Sequence, residues 1–420
     1  MMLKVKYASF IMFICALGSQ LTDVSVGVLK LWELMAIIIF PFFMTKIHKK
    51  TLPFVLFFFS LLVISLATQL FTDVFFWNYG GLKQKYVISV VRFAELMLCI
   101  STAIVMLNAA RKYKVELPEL ISKFITYNFY MTLFVLGLLT IDIVAGTHIV
   151  SYYQIHRLKG FYVEGGPYGL YLASLIFLEF LYKKRKLMMF TFAIALAFSQ
   201  SKAGICAIAI FLFVSFMMKN KYLSGFLKPG NFIRFSFFIA LSISISAFAI
   251  FKIAYNYIDD YQNVYSLIKG RAGDPSLIMG RIAASHIGPK IFEDNPIFGV
   301  GLGGYSLVRN NLEYREGFPV VSGWDLTGLG GFFNLMIENG IFGVLGFIII
   351  ILLTYKKDLP GMCFMMLFII PFIFGAQLYM FYPWVFLGFY FVYRYGDPKL
   401  SSDQKATVDS ALTASQANSN

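Results

Sequence analysis

The chain has 420 residues, of which 59% are hydrophobic and 14% charged, with a formal net charge of +14 at pH 7. Soluble chains carry roughly 25% charged residues, and runs such as VLFFFSLLVISLATQLF are too long and too apolar for a soluble core. Composition therefore excludes a soluble globular protein and predicts an all-α polytopic membrane protein. The basic excess is what cytoplasmic loops of such proteins accumulate, so it gives no reason to expect a nucleic-acid partner. Cys15, Cys99, Cys206 and Cys363 lie in apolar segments without C-x-x-C spacing, which supports neither a disulfide framework nor a zinc site.

The N-terminal stretch MMLKVKYASFIMFICALGSQ has the charged start and short apolar run of a signal peptide. Because many apolar segments follow, it reads as an uncleaved first helix. About twelve spans follow from hydropathy, at 8–24, 25–44, 52–71, 86–108, 122–145, 166–182, 187–200, 203–218, 232–252, 329–354, 360–376 and 377–394. The seventh and eighth are short, and a re-entrant pair around SQSKAG is the alternative. Every even-numbered span leads into a basic connection: Lys46/Lys49/Lys50, Arg111/Lys112/Lys114, KKRK at 183–186, Lys219/Lys221/Lys228, Lys356/Lys357 and Arg394/Lys399. That asymmetry places both termini in the cytoplasm. The expected organisation is helices one to nine over 1–252, a large external loop over 253–328, helices ten to twelve over 329–394, and a disordered cytoplasmic tail over 395–420.

Three external segments stand out: 146–165, the SQSK turn at 199–202, and the long loop. Amphipathic helices are expected within the loop at 260–270 and 280–293. The loop also holds Gly299-x-Gly301-x-x-Gly304, the string of a dinucleotide-binding turn. That string carries its meaning only between a strand and a helix, and no β-α-β unit surrounds it. Here the glycines mark a turn where backbone either returns to the membrane or closely approaches a ligand.

External cations break the charge rule and are candidates for a phosphate-bearing substrate. They are Arg157, Lys159, Lys202, Arg271, Arg281, Lys290, Arg309 and Arg315. Arginine grips a diphosphate as a planar fork, while the plain alternative for each is a solvated or snorkelling charge. His286, or one of the external carboxylates such as Glu316, is a candidate base. No H-E-x-x-H or clustered ligand spacing exists, so no metal and no cofactor is expected. Within the spans, Arg92 and Glu95 are spaced to pair, Glu179 precedes Lys183 by one turn, and Glu33 and Glu338 have no such partner.

Four stretches together resemble the O-antigen polymerase/O-antigen ligase superfamily of bacterial inner-membrane proteins. HRLKGFYVEGGPYGLYLA is similar to the family's Arg-x-x-Gly followed by a Pro at the next span. AFSQSKAGICAIAI is similar to its Ser-x-Ser-Arg/Lys-x-Gly junction. GRIAASHIGPKIFEDNPIFGVGLGGY is similar to the Arg…Asn-Pro-x-x-Gly-x-Gly part of its periplasmic loop, and FFNLMIENGIFGVLGFI to the helix that follows. The resemblance covers roughly 155–350. Pro167-Tyr168 stands where the family has Pro-Asn.

The resemblance implies a glycosyltransferase whose donor glycan hangs on undecaprenyl diphosphate at the outer face of the inner membrane, with no metal or cofactor. Arg157, Lys202 and Arg281 match its basic positions and are expected at the diphosphate. Catalysis is assigned to Arg157, Arg281, Glu316 and His286, and substrate binding to Lys159, Lys202, Arg271, Asn295, Gly299, Gly301, Arg309 and Asn334. Ligases of the family carry a His between the long loop and the Glu-x-Gly that follows, and no His follows His286 here. The resemblance therefore favours a polymerase of lipid-linked repeat units. A ligase, or a lipid-linked-oligosaccharide flippase, is the alternative. Other expected partners are membrane lipids, a chain-length regulator and a flippase.

Overall fold

The computed structural model describes residues 2–27, 29–43, 47–152, 157–219, 280–321, 327–355 and 358–396. The expected span at 232–252, the helix at 260–270, Arg271 and the tail beyond 396 lie outside these residues. The described chain is mostly helical: α1 (Met2–Gln20), a two-residue-per-strand hairpin β1–β2 (Ser25–Val26, Leu29–Lys30), α2 (Leu31–Phe43), α3 (Leu52–Phe71), α4 (Val87–Tyr113), α5 (Leu117–Ala145), α6 (Gly165–Tyr182), α7 (Lys186–Ser199) and α8 (Lys202–Lys219). There follow α9 (Ala283–Asp294), two single turns α10 (Tyr305–Val308) and α11 (Leu312–Arg315), then α12 (Gly331–Thr354), α13 (Leu359–Ile373) and α14 (Phe381–Tyr395).

Local chemistry sets several of these boundaries. A proline occupies the first turn of α3, α5 and α13, where its missing N–H leaves no hydrogen bond unmade. The Asp358 carboxylate caps α13 by accepting from the Gly361 amide at 2.8 Å. The expected span at 25–44 is corrected: its first residues form the β1–β2 hairpin, and α2 has only 13 residues. At 1.5 Å per residue that is about 20 Å, short of the roughly 30 Å hydrocarbon layer.

Among the described residues, four helices, Leu52–Phe71, Val87–Tyr113, Leu117–Ala145 and Gly331–Thr354, are long and apolar enough to cross a membrane. Their burial ranks them. In α4 61% of the apolar window is buried inside the protein, against 33% in α3 and α5, so α4 is central and the others peripheral. Beside α4 runs α14, in which every residue from Phe381 to Val392 is buried. A helix apolar on all sides belongs in such an interior. Gly388 lets it close on α4, since a Cβ there would sit 2.5 Å from the Met106 Sδ. Trp384 fills the space between Phe58 of α3 and Phe368 of α13.

One end of this body gathers the polar connections: the ends of α1 and α3, the starts of α4 and α6, the α7–α8 joint and residues 280–321 and 327–330. Tyr162 donates to the Ser19 carbonyl, Ser89 to the Leu302 carbonyl, and the Leu302 amide to Ser65. A second, smaller apolar cluster forms here from Ala284, Ile287, Val300, Tyr305, Tyr314 and Phe318 with Ile337 of α12.

Candidate active site

Residues 147–152 and 157–160 run antiparallel and are bridged at Ser151 and Leu158, an arrangement that presents two cations on one side. Alternation along an extended strand puts Arg157 and Lys159 on the same face, and both charges lie over the Tyr152 ring, at 5.9 and 5.6 Å from its centroid. The bridged pair is anchored by Asp142 in the last turn of α5. Its carboxylate accepts from Thr147 Oγ1 (2.7 Å), the Ile149 amide (2.7 Å), the Val150 amide (2.8 Å) and Ser151 Oγ (2.9 Å). Arg157 is oriented further by donating from Nε to the Ser199 carbonyl at 2.8 Å, at the α7–α8 joint.

These contacts bring Arg157 to the N-terminus of α6, and Arg281 reaches the same place from the turn before α9. A Cβ on Gly165 would lie 3.1 Å from Arg157 Nε, and one on Gly166 3.2 Å from Arg281 Nη2. Two guanidinium groups thus lie against consecutive α-carbons where an 18-residue helix begins. The first amides of that helix point the same way and add partial positive charge. Arg281 also donates to the Gly328 carbonyl at 3.3 Å and pairs with Glu164 at 2.7 Å. Nothing in the sequence singles out Glu164 for this pairing. The pair is partly exposed, with side chains 39% and 11% accessible, so its contribution to stability is modest.

Lys202 begins α8 on the same side. Ser201, just before it, donates to the Gly166 carbonyl at 3.0 Å and accepts from the Gly204 amide at 3.0 Å. The close crossing of α6 and α8 explains the glycines of this stretch. A Cβ on Gly169 would overlap Ser201 at 2.1 Å, and one on Gly204 would meet the Gly169 carbonyl oxygen at 2.6 Å. Lys202 itself is exposed.

His286 and Glu316 are brought together by a residue between them. Lys290 pairs with Glu316 at 2.7 Å and lies 3.4 Å from His286 Nε2. The His286 ring stacks on Phe318 at 5.7 Å. Burial, with the Lys290 charge, holds the His286 imidazole below its usual pKa, against an opposing pull from Glu316. The hydrogen bond and charge of Lys290 hold the exposed Glu316 carboxyl below the usual carboxylate range. Glu316 has φ 46° and ψ −122°, a conformation costly for a residue with a Cβ.

The remaining sequence candidates are placed elsewhere. Asn295 caps the end of α9, donating to the Ile291 carbonyl at 3.3 Å, while its own carbonyl accepts from the Gly299 amide at 3.0 Å. What the glycine turn approaches is protein. In α12 the backbone breaks at Gly340 (φ 60°, ψ −158°), leaving carbonyls and amides without helical partners. The 296–301 segment supplies them: Val300 N–H donates to the Ile337 carbonyl (3.2 Å) and Gly301 N–H to the Glu338 carbonyl (2.7 Å). In return Ile341 N–H donates to Pro296 (2.8 Å) and Phe342 N–H to Ile297 (3.1 Å).

Gly299, at φ 65°, lies so close that a Cβ would sit 2.4 Å from the Glu338 carbonyl carbon, and a Cβ on Gly301 would meet Gln69 at 2.9 Å. Both glycines expected at the substrate thus meet protein: the Gly301 amide is spent on the helix break and the Gly299 amide on the Asn295 carbonyl. Arg309, expected as a substrate cation, is 4% exposed, with its charge acting on the Tyr305 phenol. Asn334 is buried one turn before Glu338. Glu33 and Glu338 are not partnerless. Glu33 accepts from the Lys30 amide at 2.9 Å, and Glu338 accepts from Tyr379 Oη at 2.8 Å.

Among known proteins, residues 187–351 match the family model described as O-antigen ligase. No curated protein matches the chain.

Proposed function

From the match of residues 187–351 to the O-antigen ligase family model, we propose that the chain belongs to the O-antigen ligase/polymerase superfamily and polymerises lipid-linked polysaccharide repeat units. The family supports a glycosyltransferase-type enzyme of surface-polysaccharide synthesis. In the proposed reaction, a glycan held on undecaprenyl diphosphate is transferred to a hydroxyl of another lipid-linked unit at the outer face of the bacterial inner membrane. The acceptor oxygen bonds to the anomeric carbon, the bond from that carbon to the diphosphate oxygen breaks, and lipid diphosphate leaves.

The observation that carries this reading is the pair of guanidinium groups at Gly165 and Gly166, with Lys202 beginning the neighbouring helix. Preorganised cations at a helix N-terminus stabilise charge that develops on a departing diphosphate. Lys159 extends the positive face over Tyr152. The proton of the attacking hydroxyl goes to a base on the loop, where His286 and Glu316 flank Lys290. In this reading the cytoplasmic termini and the periplasmic side of the 253–328 loop follow from the distribution of positive charge, and the inner-membrane location from the family resemblance. A chain-length regulator and a flippase are the proposed protein partners.

The family description names a ligase, which keeps transfer of finished glycan to lipid A-core as the second reading. A gel of surface polysaccharide from a strain lacking this gene, beside its parent, separates them. Core plus a single repeat unit is the expected result for a polymerase. Bare core with long polymer held on lipid at the outer face means a ligase. Bare core with single units held on the cytoplasmic side means a flippase and overturns the site. An unchanged ladder removes the chain from this synthesis.

A further inference from the structure

Glu338 is 2% exposed and sits two residues before the break in α12. Its main-chain carbonyl accepts from the Gly301 amide, and its carboxylate accepts from Tyr379 Oη at 2.8 Å. The Gly303 amide and the Arg92 charge act on the same carboxylate. Arg92 lies over the Tyr379 ring at 4.7 Å and is itself paired with Glu95 at 2.7 Å. The Asn334 side chain faces the carboxylate from one turn earlier, without hydrogen-bond geometry to it. One buried carboxylate therefore ties together α12, α4, the α13–α14 connection and the glycine turn.

The turn is the direct continuation of α9. Gly288 of α9 fits against Ile337 and Phe333 of α12, with a Cβ there meeting them at 2.7 and 3.0 Å. At the other end of α9, Arg281 touches Glu164 and Gly328. The segment from Arg281 through α9 is thus fixed at both ends, and one of those ends is the plugged break.

We propose that Glu338, with Tyr379 and Arg92, is a positioning residue that locks the 296–304 turn into the α12 break and so sets Arg281 opposite Arg157 at the α6 N-terminus. The proposal deepens the polymerase reading and rests on it for the meaning of the two arginines. A buried charge of this kind in an apolar helix is costly unless it is used. The backbone hydrogen bonds at the break would otherwise have no partner away from water.

The test uses the full chain in its own membranes, with Cys206 replaced by Ser and Val300→Cys as reporter. Val300 is 0% exposed, so a membrane-impermeant maleimide should label it slowly. In Glu338→Ala the reporter should label more than tenfold faster, the buried Cys15, Cys99 and Cys363 should stay protected, and polymer should fall at least tenfold. Tyr379→Phe removes one hydroxyl donor to a charged group and should move labelling in the same direction, by about tenfold at most.

A reporter that stays protected in both variants overturns the proposal. So does release of the turn with polymer unchanged, or labelling of Cys99 in both variants, which would make the network a support of the whole bundle. If only Glu338→Ala loses that protection, Tyr379→Phe decides. Labelling needs no substrate, so an unchanged polysaccharide ladder in the strain lacking the gene would refute the polymerase reading alone.

Discussion

Arg157 owes its place to three other residues: Ser199, Tyr152 and Asp142. Arg157→Ala should abolish polymer while the protein stays inserted and abundant, as measured by gel and immunoblot. Arg157→Lys should recover little of it, because an ammonium keeps the charge but not the planar fork that grips a diphosphate. Asp142→Ala removes four acceptor contacts and leaves the Ile149 and Val150 amides to find water. The bridged pair should loosen by about 1–3 kcal/mol, read as faster proteolysis at 147–160 with the helices intact.

The loop around Lys290 should respond to acid in two stages. His286 is held neutral by burial and by Lys290, so its folded pKa is below the unfolded value. Its stabilisation is complete above about pH 6.5 and declines as pH falls below that, because only the unfolded chain takes up the proton readily. Glu316 also has a lowered pKa, and its share disappears as pH falls through the carboxylate range. Hydrogen exchange of α9 against pH should show both stages, and His286→Ala should remove the first. Sequence alone singles out Arg157 and Arg281 as candidates, because basic residues on the side expected to be external are conspicuous. It missed the roles of Glu164, Tyr152 and Asp142, whose importance lies in which distant groups they meet.

Among the helices, the α6–α8 crossing is the contact whose geometry most directly sets the site. Gly169→Ala gains roughly 0.5–1 kcal/mol of helix propensity. That gain is outweighed, since the new methyl group would overlap Ser201 at 2.1 Å and force α8 outward with Lys202 on its first turn. Reduced polymer with near-normal protein level is the expected outcome. At the break in α12 the balance is harsher. Gly340→Ala puts a side chain into a φ, ψ region reserved for glycine and drives it within 2.4 Å of Ile297 backbone. Loss of folded protein is expected there, by detergent-extracted yield.

Hydropathy made most of the described helices legible, since long apolar runs set their positions to within a few residues. It failed where backbone geometry overrides composition. The residues 25–30 are apolar enough for a helix but turn back on themselves. The glycine string in the loop looks like a nucleotide turn, yet its spacing serves a broken helix 40 residues away, a pairing that no local pattern encodes.

At the scale of the molecule, the order in which the chain is made runs against the order in which it is packed. The most enclosed helix, α14, is the last described element in the chain, and α1, α4, α5 and α13 all pack against it. During synthesis at about 5–20 residues per second, the earlier helices must wait beside one another with their central face unfilled. Final consolidation therefore waits for α14, however early the first helices enter the membrane. A chain ended after Met380 should be inserted but cleared by membrane proteases, whereas one ended after Gly396 should persist, as pulse-chase would show. The window between those two stops is when the protein depends most on membrane chaperones, and a stalled ribosome there would leave an inserted chain with no interior.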